Sequence, residues 1–365
     1  MGMIDHVTEP EIETGRMGAL AWITLQRPSA RNAITIAMRA EIAGMIPKWA
    51  RDPQVYALVI RSAVPGVFSA GGDVHEIVAL AAQEPFLVRR ALADEYMLNW
   101  LLECFSKPTV SLIDGPVMGT GVGISIYGTH RVAGERYAFA MPETRLGLFP
   151  DDGVAHALAR LPDGIGMYLG LTGRSIDRAD ALHLGLATHC IAAAHHEAIS
   201  AALADAQPVD PLLDGLHEDP GPAAIDTWRE VIARCFCADD VAGICARLAA
   251  ETGSAGQWAA AVLVELAARS PLALAVTFRH IREAAARDLR QTLTLDYRLA
   301  AGMIEGHDFA EGVRAALIEK DNAPRWRPAT LSDVSPGMVE RLFHPFASAD
   351  ELVLPTRQEM QAARV

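Results

Sequence analysis

The chain has 365 residues, and its 45 acidic and 32 basic side chains give a formal net charge of −13. Apolar residues make up 51% of the chain and charged residues 21%, which is ordinary globular usage and excludes a disordered composition. The acidic balance also excludes a general nucleic-acid binder, because binding to phosphates needs clustered Lys and Arg. This length predicts about two domains and a sizeable core.

The amino-terminal segment and the cysteines bear on cellular location. Residues 1–15 (MGMIDHVTEPEIETG) lack the basic and apolar segments of a secretion signal and the Arg-rich composition of a mitochondrial transit peptide. No run of about 18 apolar residues is present, so no membrane partner is predicted. The five cysteines form no CxxC pair and are interpreted as reduced thiols. Together these features predict a cytoplasmic protein.

The first half of the chain alternates short apolar runs with helical patterns. Residues 19–25 (ALAWITL) and 55–61 (VYALVIR) are rich in β-branched and apolar side chains, which predicts buried strands. Between them, residues 34–49 repeat apolar side chains at spacings of three and four, as an amphipathic helix does. After the glycine-rich turn that follows residue 114, an apolar segment of helical length is expected. Three further strands are predicted at residues 109–114, 131–133 and 137–141. This order indicates an α/β layered core.

The second half, from about residue 191, is Ala-rich and helical in pattern. The Pro-, Gly- and Asp-rich stretch at 208–222 predicts a loop. Residues 272–320 have helical periodicity, and one predicted helix face consists of Leu293, Tyr297, Ala301 and Ile304. We therefore expect one region at residues 1–190 and a helical region at 191–365.

Three segments carry unusual residues for their context. FSAGGD at 68–73 places free backbone N–H groups at a strand-to-helix junction, where they can bind an oxyanion; the alternative is a tight turn with Asp73 as helix N-cap. MGTGVG at 118–123 begins a predicted helix but lacks the G-x-G-x-x-G spacing of a dinucleotide loop. Glu143 and Asp151, eight residues apart, suit acid–base chemistry if they share a pocket, and are otherwise two unrelated loop carboxylates.

Taken together, FSAGGD, MGTGVG and MPETRLGLFPD resemble the enoyl-CoA hydratase/isomerase (crotonase) superfamily over most of the first 190 residues. EYMLNW at 95–100 and GHDFAEGVRAALIEKDNAPRW at 306–326 resemble its subgroup of 3-hydroxyacyl-CoA hydrolases. The resemblance implies an α/β fold, namely a crotonase-like spiral of ββα units with a helical C-terminal region that covers the site or oligomerises. It also implies an acyl-CoA thioester substrate, no metal, and no cofactor beyond the CoA of that substrate.

The resemblance assigns an oxyanion hole to backbone N–H groups. Superfamily members stabilise an enolate or a tetrahedral oxyanion with two such donors, which correspond here to Gly72 and Thr120. Thr120 stands where relatives commonly have Gly; its N–H is kept, but its side chain could narrow the pocket. In family hydratases a second glutamate follows the glycine-rich turn. The matching residue here is Gly123, which disfavours hydration.

The hydrolase subgroup implies roles for three carboxylates. Glu143 serves as general base to water or attacks the thioester carbonyl itself. Asp151 orients the 3-hydroxyl of the substrate or positions Glu143. Glu95 contacts the same hydroxyl from the opposite wall; the alternative is a solvated helix carboxylate. The chain departs from the subgroup at Asp152, where relatives usually continue with a Val-Gly-Gly run.

For CoA, the resemblance implies backbone contacts around Ala33, Ala70 and Gly71. Arg27 and Arg31 meet the phosphates or are solvated surface charges. The expected activity is hydrolysis of a short-chain 3-hydroxyacyl-CoA, such as the 3-hydroxyisobutyryl thioester of valine breakdown, to the free acid and CoA. The alternatives are an enoyl-CoA hydratase or isomerase, and a non-catalytic acyl-CoA-binding protein. Family cores often form trimers, so a homo-oligomer is one of the assemblies to be expected.

Overall fold

The strands of the protein, in a computed structural model that describes residues 10–347 and 349–365, all lie before residue 191. All five predicted strands are confirmed, with small changes of their bounds. The prediction about the amino-terminal segment falls mostly on residues 1–9, outside the described residues. The strands are β1 (Ile12–Met17), β2 (Leu20–Leu25), β3 (Ala57–Ser62), β4 (Thr109–Ile113), β5 (Pro116–Met118), β6 (His130–Ala133), β7 (Ala138–Ala140) and β8 (His189–Cys190).

Six strands form one sheet in the order β1-β2-β3-β4-β6-β8. β1 and β2 are antiparallel and every other neighbouring pair is parallel. A second sheet pairs β5 with β7 in parallel, and single bridges join Ile34 to Gly72 and Ser69 to Val117. The chain therefore passes repeatedly between the two layers, as the predicted spiral requires.

The helices that follow the strands connect the parallel pairs. α1 contains the predicted apolar face, and the side chain of Thr35 caps it by accepting a hydrogen bond from the Met38 N–H. The expectation of an apolar segment of helical length after the glycine-rich turn is wrong, because α4 has only four residues and lies within the turn. Two of those residues are glycines, which have low helix propensity. The helices of this half are α1 (Ile36–Arg51), α2 (Val74–Ala81), α3 (Pro85–Cys104), α4 (Thr120–Gly123), α5 (Val154–Leu158), α6 (Ile165–Thr172) and α7 (Arg178–His183).

The second half is helical, as predicted. The expected loop at 208–222 is partly wrong, because Val209 and Leu213 are buried under the sheet and lie on a helix, α9. The four residues predicted on one helix face are all buried on α14. The helices are α8 (His196–Ala204), α9 (Val209–Asp214), α10 (Arg229–Phe236), α11 (Val241–Ala250), α12 (Gly253–Ala267), α13 (Pro271–Ala284), α14 (Leu289–Ile304), α15 (His307–Val313), α16 (Pro336–Phe343) and α17 (Arg357–Ala362).

The two halves share one hydrophobic core. A single cluster of buried side chains extends from Ile12 to Val365, and a smaller cluster fills the other face of the sheet beneath α8 and α9. The division near residue 190 stays a prediction. All five cysteines are free thiols, as expected. No single helix of the described residues is long and apolar enough to cross a membrane; α12 and α13 reach that length and apolarity only as a pair bent by 110°.

Candidate active site

A small cavity of about 100 Å³ lies where the two glycine-rich turns meet the C-terminal helices. Most of the residues predicted for the site line it, although they come from segments far apart in the sequence. Arg39 of α1 and two apolar side chains of the second half, Ile304 and Phe309, also line it. The predicted residues that line the cavity are Ala70, Gly71, Gly72, Glu95, Thr120, Glu143 and Asp151.

The first backbone donor of the site is the N–H of Gly72. The parallel bridge beside it uses the Ile34 N–H, which donates to the Gly71 carbonyl at 2.8 Å, and the Asp73 N–H, which donates to the Ile34 carbonyl at 2.9 Å. Among the described residues nothing accepts from the Gly72 N–H itself. The Asp73 carboxylate caps α2, accepting from the N–H groups of His75 and Glu76. The segment thus contains both the expected turn with its N-cap and a free donor.

The second backbone donor belongs to Thr120, the first residue of α4. The first N–H groups of a helix have no acceptor within it, and the Thr120 N–H has none elsewhere among the described residues. The Thr120 hydroxyl donates to the Glu95 carboxylate at 2.8 Å. A Cβ added to Gly72 would lie 2.9 Å from that hydroxyl oxygen, so the threonine is accommodated because residue 72 has no side chain.

Glu143 follows β7 and begins a short 3₁₀ turn, Glu143–Leu146. Its carboxyl is buried and Oε2 has no hydrogen-bond partner among the described residues. Burial, and next the charge of Asp151, raise the pKa of Glu143 well above its usual value. Gly119 has a φ of 47°, and a Cβ there would lie 3.2 Å from Glu143 Oε1. A glycine is therefore what lets this carboxyl approach the turn that carries Thr120.

Helices of the second half hold the turn that carries Glu143. A Cβ added to Gly147 would lie 2.5 Å from the backbone carbonyl of Asp308 on α15. The Ser270 N–H, at the start of α13, donates to the Thr144 carbonyl at 3.2 Å. The Ser270 hydroxyl donates to Asp308 at 2.6 Å. Segment 306–326, which carries part of the resemblance, therefore packs directly beside Glu143.

Asp151 contacts the buried phenol of Tyr96, whose O–H donates to its carboxylate at 2.8 Å. Burial and the negative charges of Glu95 and Asp296 raise the pKa of Asp151 to about 8, although the Tyr96 hydrogen bond opposes this shift. Asp151 and Glu143 thus share a pocket and are not two unrelated loop carboxylates. At neutral pH the Asp151 carboxyl is mostly protonated.

Asp152 points away from the cavity and fills a space behind it. Its φ is 54° and neither carboxylate oxygen has a partner among the described residues. Burial, followed by the charge of Glu95, raises its pKa well above the usual value. A Cβ added to Gly123 would lie 2.7 Å from Asp152 Cγ and 2.9 Å from Asn99 Nδ2. Asp152 therefore occupies the space that a side chain at residue 123 would need.

A buried pair from α13 and α14 anchors the loop after Asp151. Asp296 accepts from the Gly153 N–H at 2.6 Å, and its other carboxylate oxygen lies 2.6 Å from His280 Nε2. The His280 ring meets Phe149 edge to face, with ring centroids 5.3 Å apart. No sequence pattern indicated this pair, because nothing local relates residues 280 and 296 to a loop more than 120 residues earlier.

Glu95 is buried on α3 and is not a solvated helix carboxylate. One of its oxygens accepts from Thr120, and the other forms an ion pair with Arg39. Arg39 was not among the residues predicted for the site. Its position, three residues before the buried Ile42 on the apolar face of α1, was a signal that could have identified it.

Arg27, Arg31 and Ala33 do not line the cavity. The Arg27 guanidinium is bonded to Asp73 at 2.8 Å, to Glu11 at 2.7 Å and to the Ala33 carbonyl at 3.1 Å. Arg31 is exposed, with a φ of 52°. Their contacts with CoA stay predictions. Within residues 10–347 and 349–365, no group of three or more His, Cys, Asp or Glu side chains could hold a metal ion.

Comparison with known proteins identifies the family of this chain. The family model described as enoyl-CoA hydratase/isomerase matches residues 20–343. The chain belongs to the enoyl-CoA hydratase/isomerase family. The chain is 38% identical to the mitochondrial 3-hydroxyisobutyryl-CoA hydrolase of Danio rerio, over 96% of this chain and 92% of the relative. It is 36% identical to 3-hydroxyisobutyryl-CoA hydrolase 1 of Arabidopsis thaliana, over 98% of each chain.

A solved structure has the same fold as this chain. A carnitinyl-CoA dehydratase from Mycobacterium thermoresistibile superposes with a TM-score of 0.88 and 35% identity, over 94% of this chain and 99% of the other. The crotonase-like spiral with a helical C-terminal region is therefore confirmed. The expected cytoplasmic location is contradicted: the Danio rerio relative and several others are named as mitochondrial enzymes. The composition of residues 1–15 therefore did not predict the location correctly.

Proposed function

We propose that the protein hydrolyses a short-chain 3-hydroxyacyl-CoA thioester, such as 3-hydroxyisobutyryl-CoA, to the free acid and CoA. One observation carries this proposal. The buried Glu143 carboxyl lines the same small cavity as Gly72 and Thr120. Within the described part of the chain, Glu143 Oε2 has no hydrogen-bond partner and the N–H groups of Gly72 and Thr120 have no acceptor. The names of the Danio rerio and Arabidopsis thaliana relatives support the same activity.

In the proposed reaction, the thioester carbonyl oxygen accepts hydrogen bonds from the Gly72 and Thr120 N–H groups. Attack on the carbonyl carbon moves negative charge onto that oxygen, so both hydrogen bonds strengthen as the tetrahedral intermediate forms. Each donor of this kind typically lowers the barrier by about 3 kcal/mol. The backbone at Ala33, Ala70 and Gly71, with Arg31 nearby, is the proposed contact for the rest of CoA.

Glu143 supplies the proton chemistry. As general base, it takes a proton from water while the water oxygen bonds to the carbonyl carbon. When the intermediate collapses, the C–S bond breaks and Glu143 returns that proton to the sulfur. As nucleophile, the Glu143 carboxylate bonds to the carbonyl carbon and the C–S bond breaks, which gives a mixed anhydride and the CoA thiolate. Water then cleaves the anhydride to the free acid and the Glu143 carboxylate, and the remaining proton of that water neutralises the thiolate. Both routes use the ionised form of Glu143, and a carboxylate whose pKa is raised is a stronger base and nucleophile than an ordinary carboxylate. Neither route uses a group beyond the CoA of the substrate.

Asp151 and Glu95 are the proposed contacts for the 3-hydroxyl group of the acyl chain. With a pKa of about 8, Asp151 is mostly protonated at neutral pH and can donate a hydrogen bond. Glu95 is held in an ion pair with Arg39 and can accept one. The two carboxyl groups thus offer a donor and an acceptor in one cavity.

Enoyl-CoA hydration is the second candidate, because the similar Mycobacterium thermoresistibile structure is named a carnitinyl-CoA dehydratase. Its second glutamate would stand at Gly123, where Asp152 fills the space. The test incubates the protein with a 3-hydroxyacyl-CoA and, separately, with an enoyl-CoA. Free thiol and the conjugated double bond are both followed. Thiol release from the 3-hydroxyacyl-CoA is expected. Loss of the double bond without thiol release would favour hydration, and CoA binding with neither reaction would favour a binding protein.

A further inference from the structure

Arg39 is an arginine buried in the wall of the candidate active site. It lies on α1, is 4% exposed, and lines the cavity together with Glu95, Thr120 and Asp151. Burial disfavours its charge, but the carboxylate of Glu95, together with the charges of Asp152 and Glu76, outweighs this effect and keeps the pKa of Arg39 above the usual value. The cavity therefore contains a permanent positive charge that none of the proposed catalytic steps uses.

The hydrogen bonds of Arg39 are incomplete. Nη1 forms an ion pair with Glu95, whereas Nε is buried and has no acceptor among the described residues. A guanidinium has five N–H donors, and an unpartnered buried donor carries a desolvation cost. A ligand oxygen bound beside this guanidinium would offset that cost.

Arg39 belongs to a short chain of contacts that ends at the oxyanion hole. Glu95 connects the two ends, since one carboxylate oxygen meets Arg39 and the other accepts from the Thr120 hydroxyl at 2.8 Å. Thr120 also contributes one of the two free backbone N–H groups. The polar wall of the cavity and the second oxyanion donor are thus fixed to one another.

We propose that Arg39 is a specificity-determining residue that, with Glu95, selects acyl groups with a hydroxyl on C3. An alcohol both accepts and donates. Its oxygen has two lone pairs, one for the proposed Asp151 donor and one for the Arg39 guanidinium, and its O–H donates to Glu95. An unsubstituted acyl chain offers neither hydrogen bond, so the guanidinium keeps an unpartnered donor in a desolvated cavity. Sites built for a hydroxyl reject analogues that lack it. This inference rests on the proposed hydrolysis of thioesters.

The experiment compares kcat/KM for 3-hydroxyisobutyryl-CoA and isobutyryl-CoA, which differ only in the hydroxyl. The wild-type protein is expected to prefer the hydroxylated substrate by at least about tenfold. Arg39→Met is expected to lower this preference about tenfold or more, because kcat/KM for 3-hydroxyisobutyryl-CoA falls further than kcat/KM for isobutyryl-CoA. Arg39→Lys keeps a positive charge beside Glu95 but loses the planar fork, so its preference should fall at least about threefold.

A matched control removes an arginine ion pair elsewhere. Arg174 binds both carboxylate oxygens of Glu265, at 2.7 and 2.9 Å, and does not line the cavity. Arg174→Met is expected to lower thermal stability and to leave the substrate preference unchanged.

Three results would overturn the inference. The first is a wild-type protein that hydrolyses both thioesters equally well. The second is an Arg39→Met protein whose activity falls by the same factor for both substrates. The third is an unchanged preference in Arg39→Lys, which decides the matter if Arg39→Met does not fold. A wild-type protein that releases thiol from neither substrate would instead refute the proposed hydrolysis, and this inference with it.

Discussion

Replacing Tyr96 by Phe tests how the site sets the proton affinity of Asp151. The Tyr96 phenol is buried among carboxylates, which raises its own pKa well above the usual value, so its O–H stays a donor throughout the accessible pH range. It donates to Asp151 at 2.8 Å and stabilises the ionised carboxylate. The substitution removes one oxygen atom and leaves the aromatic ring in place.

The expected shift follows from the strength of one hydrogen bond to a charged group. Such a bond contributes about 1.5–3 kcal/mol, and about 1.4 kcal/mol corresponds to one pKa unit. The bond favours the ionised form, so its loss raises the pKa of Asp151 from about 8 by about one to two units. A ¹³C NMR titration of carboxyl-labelled aspartate measures this directly, with Asp151→Asn identifying the resonance.

Tyr127→Phe is the matched control, because the Tyr127 hydroxyl donates to the backbone carbonyl of Asp152 in the same loop and not to a carboxylate. The pKa of Asp151 should stay near 8 in this protein. A folded Tyr96→Phe protein with an unshifted Asp151 resonance would refute the reasoning. Equal shifts in both variants would refute it as well, since the cause would then be a disturbed loop.

Two further changes are predicted. In Gly119→Ala, the new Cβ would lie 3.2 Å from Glu143 Oε1, so the rate of thiol release should fall at least about tenfold. Because residue 119 has a φ of 47°, the alanine is also strained, and the free energy of unfolding should fall by about 1–3 kcal/mol. Gly44→Ala, exposed on α1 with nothing within 4 Å of the new Cβ, is its control in calorimetry and should be slightly stabilising. Asp296→Asn removes a negative charge near Asp151, so the ¹³C titration should show the pKa of Asp151 lowered by about one unit; a raised value would contradict this.

Local sequence patterns predicted most of the architecture. The apolar runs of β2, β3 and β4 and the three- and four-residue spacing of α1 are properties of short segments, so no knowledge of their neighbours was needed. α4 and α9 were mispredicted because contacts decide them. The glycines of α4 lie against Ser69 and Asp152, and Val209 of α9 is buried against the sheet.

The site, too, contains residues that local sequence predicts and residues that tertiary packing brings in. Gly72, Thr120 and Glu143 lie in motifs whose spacing is recognisable, and the structure brings them to one cavity. Arg39 and Asp296 reach the site from helices with no motif in their sequence. The packing of α1 on α3, and of α14 on the loop after Asp151, brings them there. Before the structure, the place of Arg39 on the apolar face of α1 indicated burial but not a role in the site.

Thiol release by Glu143→Gln tests the central claim most directly. Gln has nearly the same shape as Glu, but it can neither accept the proton of water nor form an anhydride. With 3-hydroxyisobutyryl-CoA as substrate, we expect the rate to fall at least about 10³-fold. Because burial raises the pKa of Glu143, a neutral side chain should keep or raise the thermal midpoint near pH 7. A folded Glu143→Gln protein that releases CoA at a rate within tenfold of the wild type would contradict the account.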